Sequence, residues 1–463
     1  MSDTFESQIQ LLREAARCAE QYLRTVDDRA VFPRPEAIHA LGQFAEPLPE
    51  RPTEPHDVLA MLHRVGSPGT VAQIGGRYFG FVDGGALPIG VAARVLADTW
   101  DQNTAHYVMS PVGAQLEEVC EGWLVELLGL PEGTAAGFVT GTTLANLSGL
   151  AAGRNELLRR RGWDVAESGL YGAPPIPVVV GADAHAAVRK SLSLLGMGDA
   201  HTIVVPVDDQ GRMRIDRFPR LEEPSLVVAQ AGNVNSGAFD PVGEITERTH
   251  AAKGWVHVDG AFGLWAAAVP ALAPLVRGID RADSWAVDAH KTLNVPYDCG
   301  IVFCREREAL EAAFRASASY FQWSDQRDPM RYTPSMSKRA RAVELWAVLK
   351  TLGRDGVLRL VEQLCAHARY FADRLAGEGF SVLNDVVLNQ VLVACRDDDE
   401  TRRTLADLQT SGECWCGGST WKGRSVIRIS VCSWATTRDD IDRSVRAFVA
   451  AREAARSNGG VRR

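Results

Sequence analysis

Between about residues 115 and 305, short apolar segments alternate with longer amphipathic ones, and no other feature constrains the fold of this chain as strongly. The strand candidates are 177–181, 201–206, 225–230, 254–258, 284–287 and 300–304; most contain β-branched residues. Amphipathic stretches such as 186–195 lie between them. Strands that are apolar on both faces and are joined by helical crossovers predict an α/β fold, a mostly parallel sheet covered by helices. In such sheets ligands gather at the carboxyl ends of the strands.

The flanks differ. Ile9, Leu12, Ala16, Ala19 and Leu23 recur at helical spacing, and a Pro-rich stretch from Pro33 to Pro55 follows that no continuous helix can span. This segment is either folded back on its own domain or laid across a partner subunit. After Ser319 a polar and aromatic stretch runs through Ser337, long for a plain connection and of the length of a lid or a disordered loop. Helical periodicity resumes from Arg339 to Leu375, and residues 380–449 mix strands and helices as a smaller α+β unit. The tail from about Ala455 is expected to fray.

With 463 residues, 46% of them hydrophobic, the chain has material for two or three domains. A formal net charge of −8 argues against nucleic acid or an acidic membrane surface as the main partner. Nine cysteines, with Cys414 and Cys416 the only close pair, form no disulfide framework and no zinc pattern, so they read as reduced cytoplasmic thiols, with no metal site. No export signal opens the sequence, and no uncharged apolar run is long enough to cross a bilayer.

Chemistry concentrates at the strand exits. Lys291 follows His290 after the apolar run Ser284–Val287, and Asp259 ends Trp255-Val-His-Val. A lysine able to form a Schiff base, with an acid able to pair with a pyridinium nitrogen, is the combination that pyridoxal phosphate (PLP) chemistry needs. Alone, Lys291 is also readable as a surface lysine, Asp259 as a helix cap, and His290 as structural. The apolar neighbours of Lys291 suit a desolvated amine of lowered pKa. Thr142 and Thr143, after Gly141 at the start of a helical run, suit a phosphate or an ordinary cap. His185, after another strand, reads as a structural hydrogen-bonder or as an imidazole stacked on a flat ring. Arg428, on the opposite face of its strand from Ile427 and Ile429, is a solvated residue or a carboxylate clamp.

Taken together these residues resemble the group II PLP-dependent decarboxylases, which include the aromatic-L-amino-acid, histidine and glutamate decarboxylases. The match runs through Tyr78-Phe-Gly-Phe81, the turn 140–146, Asp183-Ala-His185, Gly232 to Asp240, His257-Val-Asp259, Asp288-Ala-His-Lys291 and Lys338-Arg-Ala-Arg341 with Trp346. The resemblance implies a fold type I enzyme: an N-terminal arm (1–75) wrapping a partner, a large PLP-binding domain (76–350) and a small C-terminal domain (351–463), paired as a homodimer. It further implies that Lys291 holds the cofactor aldehyde and Asp259 its ring nitrogen. His185 and Ala261 would flank the ring, and Thr142, Thr143 and His290 would hold the phosphate. Asn233 stands where many members have a threonine near the cofactor. A loop tyrosine supplies a proton in that family; Tyr332 is the first candidate and Tyr320 the second. Phe79, Phe81 and His106 are candidate pocket residues, and Tyr78, Phe79 and Phe81 favour an aromatic substrate. The expected reaction is decarboxylation of an L-amino acid. The rivals are an aminotransferase, an aldehyde-forming lyase or oxidative deaminase on the same scaffold, and a dimer that binds PLP without catalysis.

Overall fold

The structure, a computed structural model, describes residues 2–459. Strand β1 (Tyr78–Phe79) comes first in the chain. Then β2 (Ala135–Val139), β3 (Val178–Gly181), β4 (Ile203–Val205), β5 (Leu226–Gln230), β6 (Trp255–Asp259), β7 (Ser284–Asp288) and β8 (Gly300–Cys304) build one sheet. Its order is β2-β8-β7-β6-β5-β3-β4. The run from β7 to β4 is parallel, and only β8 is antiparallel to its neighbours. The six expected strands are present within a residue or two of their expected ends.

Strand β2 is not among the strands expected from the sequence. Ala135-Ala-Gly-Phe-Val139 carries three small residues and only one that is β-branched, so its propensity is weak. Packing accounts for the small residues. A Cβ at Gly137 would lie 2.2 Å from the Tyr332 carbonyl oxygen, so the chain at 332 crosses directly over this strand.

A second sheet adds β9 (Ser381–Val382), β10 (Gln390–Ala394), β11 (Trp415–Trp421) and β12 (Arg424–Ser430), in the order β1-β11-β12-β10-β9. Strand β1 lies within the range expected for the large domain, yet it pairs in parallel with β11, Tyr78 opposite Trp415. The helix Ala342–Gly377 serves both sheets. It is interrupted at Gly353 (φ 59°, ψ −177°), a left-handed conformation that favours glycine. Before the break it packs on the helices Pro88–Trp100 and Pro111–Leu127; after it, on the small sheet. The expected fraying from Ala455 does not occur: the helix Arg438–Gly459 continues through a fully buried Ala455, and residues 460–463 lie outside the described residues.

The helix Thr142–Arg159 lies flat across β6, β7 and β8. It approaches closely because Gly149 and Gly153 face the sheet. A Cβ at Gly153 would stand 2.7 Å from Trp255 Cδ1 and 2.9 Å from Leu226 Cδ1. Replacing Gly153 by alanine should therefore destabilise the protein by about 1–3 kcal/mol in urea unfolding, against the ~1 kcal/mol gain that alanine brings in an open helix.

Candidate active site

The carboxyl ends of β6 and β7 meet the amino end of the helix Thr142–Arg159. Asp288, the last residue of β7, joins them. Its Oδ1 accepts a hydrogen bond from the Thr142 amide at 2.7 Å, and its Oδ2 lies 2.8 Å from Lys291 Nζ. His290 Nε2 is 3.6 Å from the same Oδ2, and its Nδ1 accepts from the Cys299 amide at 3.1 Å. These bonds place the His290 proton on Nε2.

The structure brings Lys291, Asp259 and His185 into one electrostatic unit. Burial raises the Asp259 pKa; the nearby His185 and Lys291, the Asn146 side chain and the Ala261 amide (3.2 Å) pull it back down. Burial lowers the His185 pKa, with Asp259 opposing and Lys291 and Arg428 assisting. His185 Nδ1 accepts from the Ala187 amide at 3.2 Å, so its proton sits on Nε2 and the exposed ring faces the cleft. Lys291 departs from expectation. Burial works to lower its pKa, but the charge and hydrogen bond of Asp288, with help from Asp259, raise it above the usual lysine value. The apolar neighbours in sequence did not reveal that a carboxylate three residues back, at the strand end, would face the amine.

Ala261 links the two acids, since its amide bonds Asp259 and its carbonyl accepts from the Asp288 amide. Asn233 uses Oδ1 to accept from the Asn235 and Ser236 amides, while Nδ2 stays buried without a partner beside Gly211. Thr143 gives its carbonyl to Ser191 Oγ. The small sheet contributes Arg428, whose Nη1 donates to the Val234 carbonyl at 3.0 Å and whose Nε is buried and unpartnered. Its charge acts on His185, so Arg428 is not a solvated strand residue. Burial lowers its pKa, and Asp83 and Tyr78 oppose that.

Three expected residues lie elsewhere. Phe79 is fully buried, edge-on to Phe371 at 5.1 Å in the small-domain core, because in β1 it points away from Tyr78. His106 is buried between Phe321 and Trp323, 3.5 Å from Asp328. Tyr332 is held under Arg327 (4.2 Å to the ring), and its hydroxyl accepts from Arg307 at 3.0 Å. Glu121, which pairs with both arginines, comes from a distant part of the chain, and sequence spacing carries no sign of it. Tyr320 is 75% exposed on the preceding loop, and Phe81 is exposed and stacked on Trp415 at 5.7 Å.

A family model described as the pyridoxal-dependent decarboxylase conserved domain matches residues 37–395. The chain belongs to this family. Among its relatives is the acidic amino acid decarboxylase GADL1 of Mus musculus, 29% identical over 66% of this chain and 58% of that protein. Another is tryptophan decarboxylase 1 of Oryza sativa subsp. japonica, 25% identical over 91% and 89% of the two chains. The chain thus spans only about three fifths of the GADL1 relatives it matches. Among solved structures, Oryza sativa TDC with PLP and tryptamine superposes with a TM-score of 0.90 at 20% identity, covering 97% of this chain and 98% of that one. Mouse CSAD gives 0.88 at 22%, covering 96% and 98%. These likenesses show the fold of PLP decarboxylases.

The cofactor of this family is pyridoxal phosphate, and the residues present fit it. Thr142 Oγ1 is buried without a hydrogen-bond partner at a helix amino terminus, where an anion is favoured. A Cβ at Gly141 would come within 3.3 Å of His290 Cε1, so this turn keeps its space open. Asp259 supplies a buried carboxylate and Lys291 an amine in the same unit. Sequence reasoning gave no role to Asp288 or Asn146, although both lie inside the quoted motifs.

Behind Asp259, His257 is fully buried, and burial depresses its pKa to about 3. A histidine neutral in the fold and protonated when unfolded contributes stability above its unfolded pKa of about 6.5, and that contribution is lost as pH falls toward 3. Between pH 7 and 5, urea unfolding should show a loss about 2 kcal/mol larger for the unsubstituted protein than for His257→Gln.

Proposed function

We propose that this protein decarboxylates an L-amino acid to the corresponding amine. The observation that carries the reading is the convergence of Lys291, Asp259 and His185 beside a helix amino-terminal turn that suits a phosphate, within a chain of the decarboxylase family. When bound, PLP supplies an aldehyde that takes up the amino group and a ring that accepts the electrons left behind by CO₂. The chain's own residues do the rest.

Lys291 Nζ, held by Asp288 at 2.8 Å, would take the cofactor aldehyde. Asp259 would face the ring nitrogen, where its negative charge favours a proton that makes the ring a stronger electron sink. His185 and Ala261 would flank the ring, and Thr142, Thr143 and His290 would hold the phosphate, with Asn233 Nδ2 as a further donor. Arg428 Nε, lacking a partner, would receive the substrate carboxylate; such a contact orients the substrate but holds charge on the group that decarboxylation loses, so it keeps the aminotransferase reading open. Burial of Asp259 and Lys291 favours loss of CO₂, because the carboxylate charge disperses as the bond breaks. Tyr332, captive between two arginines, is not the tyrosine that returns a proton to Cα. Tyr320 and the ammonium of Lys291 are the donors at hand.

A homodimer is part of this proposal. Phe5, Ile9, Leu12 and Leu23 of the first helix are exposed, and so are Val91, Val95, Leu96 and Trp100 of the helix Pro88–Trp100. Apolar surface of that extent marks an interface. Among the described residues no helix is long and apolar enough to cross a membrane; the cytoplasmic assignment stays part of the proposal.

Lys291→Ala should abolish both the visible absorbance that PLP acquires on binding and CO₂ release from every amino acid in a panel of aromatic, acidic and basic substrates. Retained turnover would refute the reading, and a 2-oxo acid or aldehyde in place of amine would favour the aminotransferase or lyase. Arg428→Leu should keep the absorbance and raise KM about 10- to 100-fold, the value of one charge-assisted contact.

A further inference from the structure

Four buried side chains behind Asp259 form a continuous series. Trp255 Nε1 lies 2.9 Å from Ser284 Oγ, Ser284 Oγ lies 2.8 Å from His257 Nδ1, and His257 Nε2 lies 2.9 Å from Asn146 Oδ1. Asn146 Nδ2 is buried without a hydrogen-bond partner. Asp259 lies two residues beyond His257 on the same face of β6, in line with the helix steps that set Gly153 against Trp255 and Gly149 against His257, and there the Asn146 side chain pulls the Asp259 pKa down. Ser284, His257 and Asn146 are all fully buried, so water completes none of these bonds.

The direction of the series is fixed at both ends. An indole N–H only donates, so Ser284 Oγ accepts from Trp255; the one other atom it bonds is His257 Nδ1, which is therefore where its own proton goes. The imidazole proton is then on Nε2 and is donated to Asn146 Oδ1. This turns the Asn146 amino group away from the histidine, toward Asp259. From the other end, a carboxylate only accepts, which demands the same amide orientation. The helix Thr142–Arg159 has the space for this arrangement: a Cβ at Gly149 would lie 2.5 Å from His257 Nδ1, and one at Gly153 2.8 Å from Trp255 Nε1.

We propose that Trp255, Ser284, His257 and Asn146 are a one-way hydrogen-bond relay that positions an amide N–H on Asp259 and thereby strengthens its hold on the cofactor's ring nitrogen. The inference rests on the functional reading above. It makes the four residues positioning residues, acting only through Asp259.

The relay acts at one atom of the ligand, and that gives the test. Apo-protein is titrated with PLP and with its 1-deaza analogue, in which carbon replaces the ring nitrogen. Ser284→Ala and His257→Leu should weaken PLP binding about tenfold while changing analogue binding less than about twofold. His257→Gln, which keeps a donor at the Nε2 position, should bind PLP within about threefold of the unsubstituted protein. Equal losses for both ligands, unchanged PLP affinity in Ser284→Ala and His257→Leu, or a glutamine variant as weak as the leucine one would overturn the relay. If His257→Leu does not fold, Ser284→Ala, which removes one atom, carries the test. An unsubstituted protein that binds no PLP would overturn the functional reading itself, and the relay with it.

Discussion

The site depends on the two oxygens of Asp288. One closes the amino terminus of the helix Thr142–Arg159 and the other faces Lys291 Nζ, so a single carboxylate sets the distance between a helix amino terminus and an amine. Both partners belong to rigid elements, a helix end and a strand exit. A side chain held between such elements loses little freedom on binding, which is how a fold keeps reacting groups in register. Through Ala261, Asp288 is also tied to Asp259 on the neighbouring strand.

The second sheet completes what the first begins. The backbone after β1 passes so close to Lys291 that a Cβ at Gly84 would lie 2.1 Å from the Lys291 carbonyl oxygen. Asn294 then donates to the Cys432 carbonyl and accepts from the Trp434 amide, joining the loop after Lys291 to the end of β12. Arg428 therefore reaches the cleft from a strand whose other face is buried core. This explains why β1 belongs to the small sheet although the sequence places it near the large domain: its pairing with β11 carries the following residues over the lysine.

Most of the architecture was legible because parallel strands buried on both faces announce themselves in composition, and the strand exits drew attention to Asp259, Lys291 and His185. What escaped was set by tertiary contact. Strand β2 is small because another segment crosses it. Tyr332 has the look of a loop residue, yet Arg327 of its own segment and Arg307 of the preceding helix enclose it. Phe79 differs from Tyr78 by one strand position, which moves its ring from one face to the other. The raised pKa of Lys291 follows from Asp288, three residues earlier, in a turn whose geometry apolar neighbours did not disclose.

Arg428 already has one acceptor, the Val234 carbonyl, before any ligand arrives. A guanidinium anchored on a neutral oxygen has given up much of its rotamer entropy during folding, so an anion bound there would cost little further ordering. A contact of that kind reads the carboxylate that every amino acid shares, and would leave the choice among side chains to other residues.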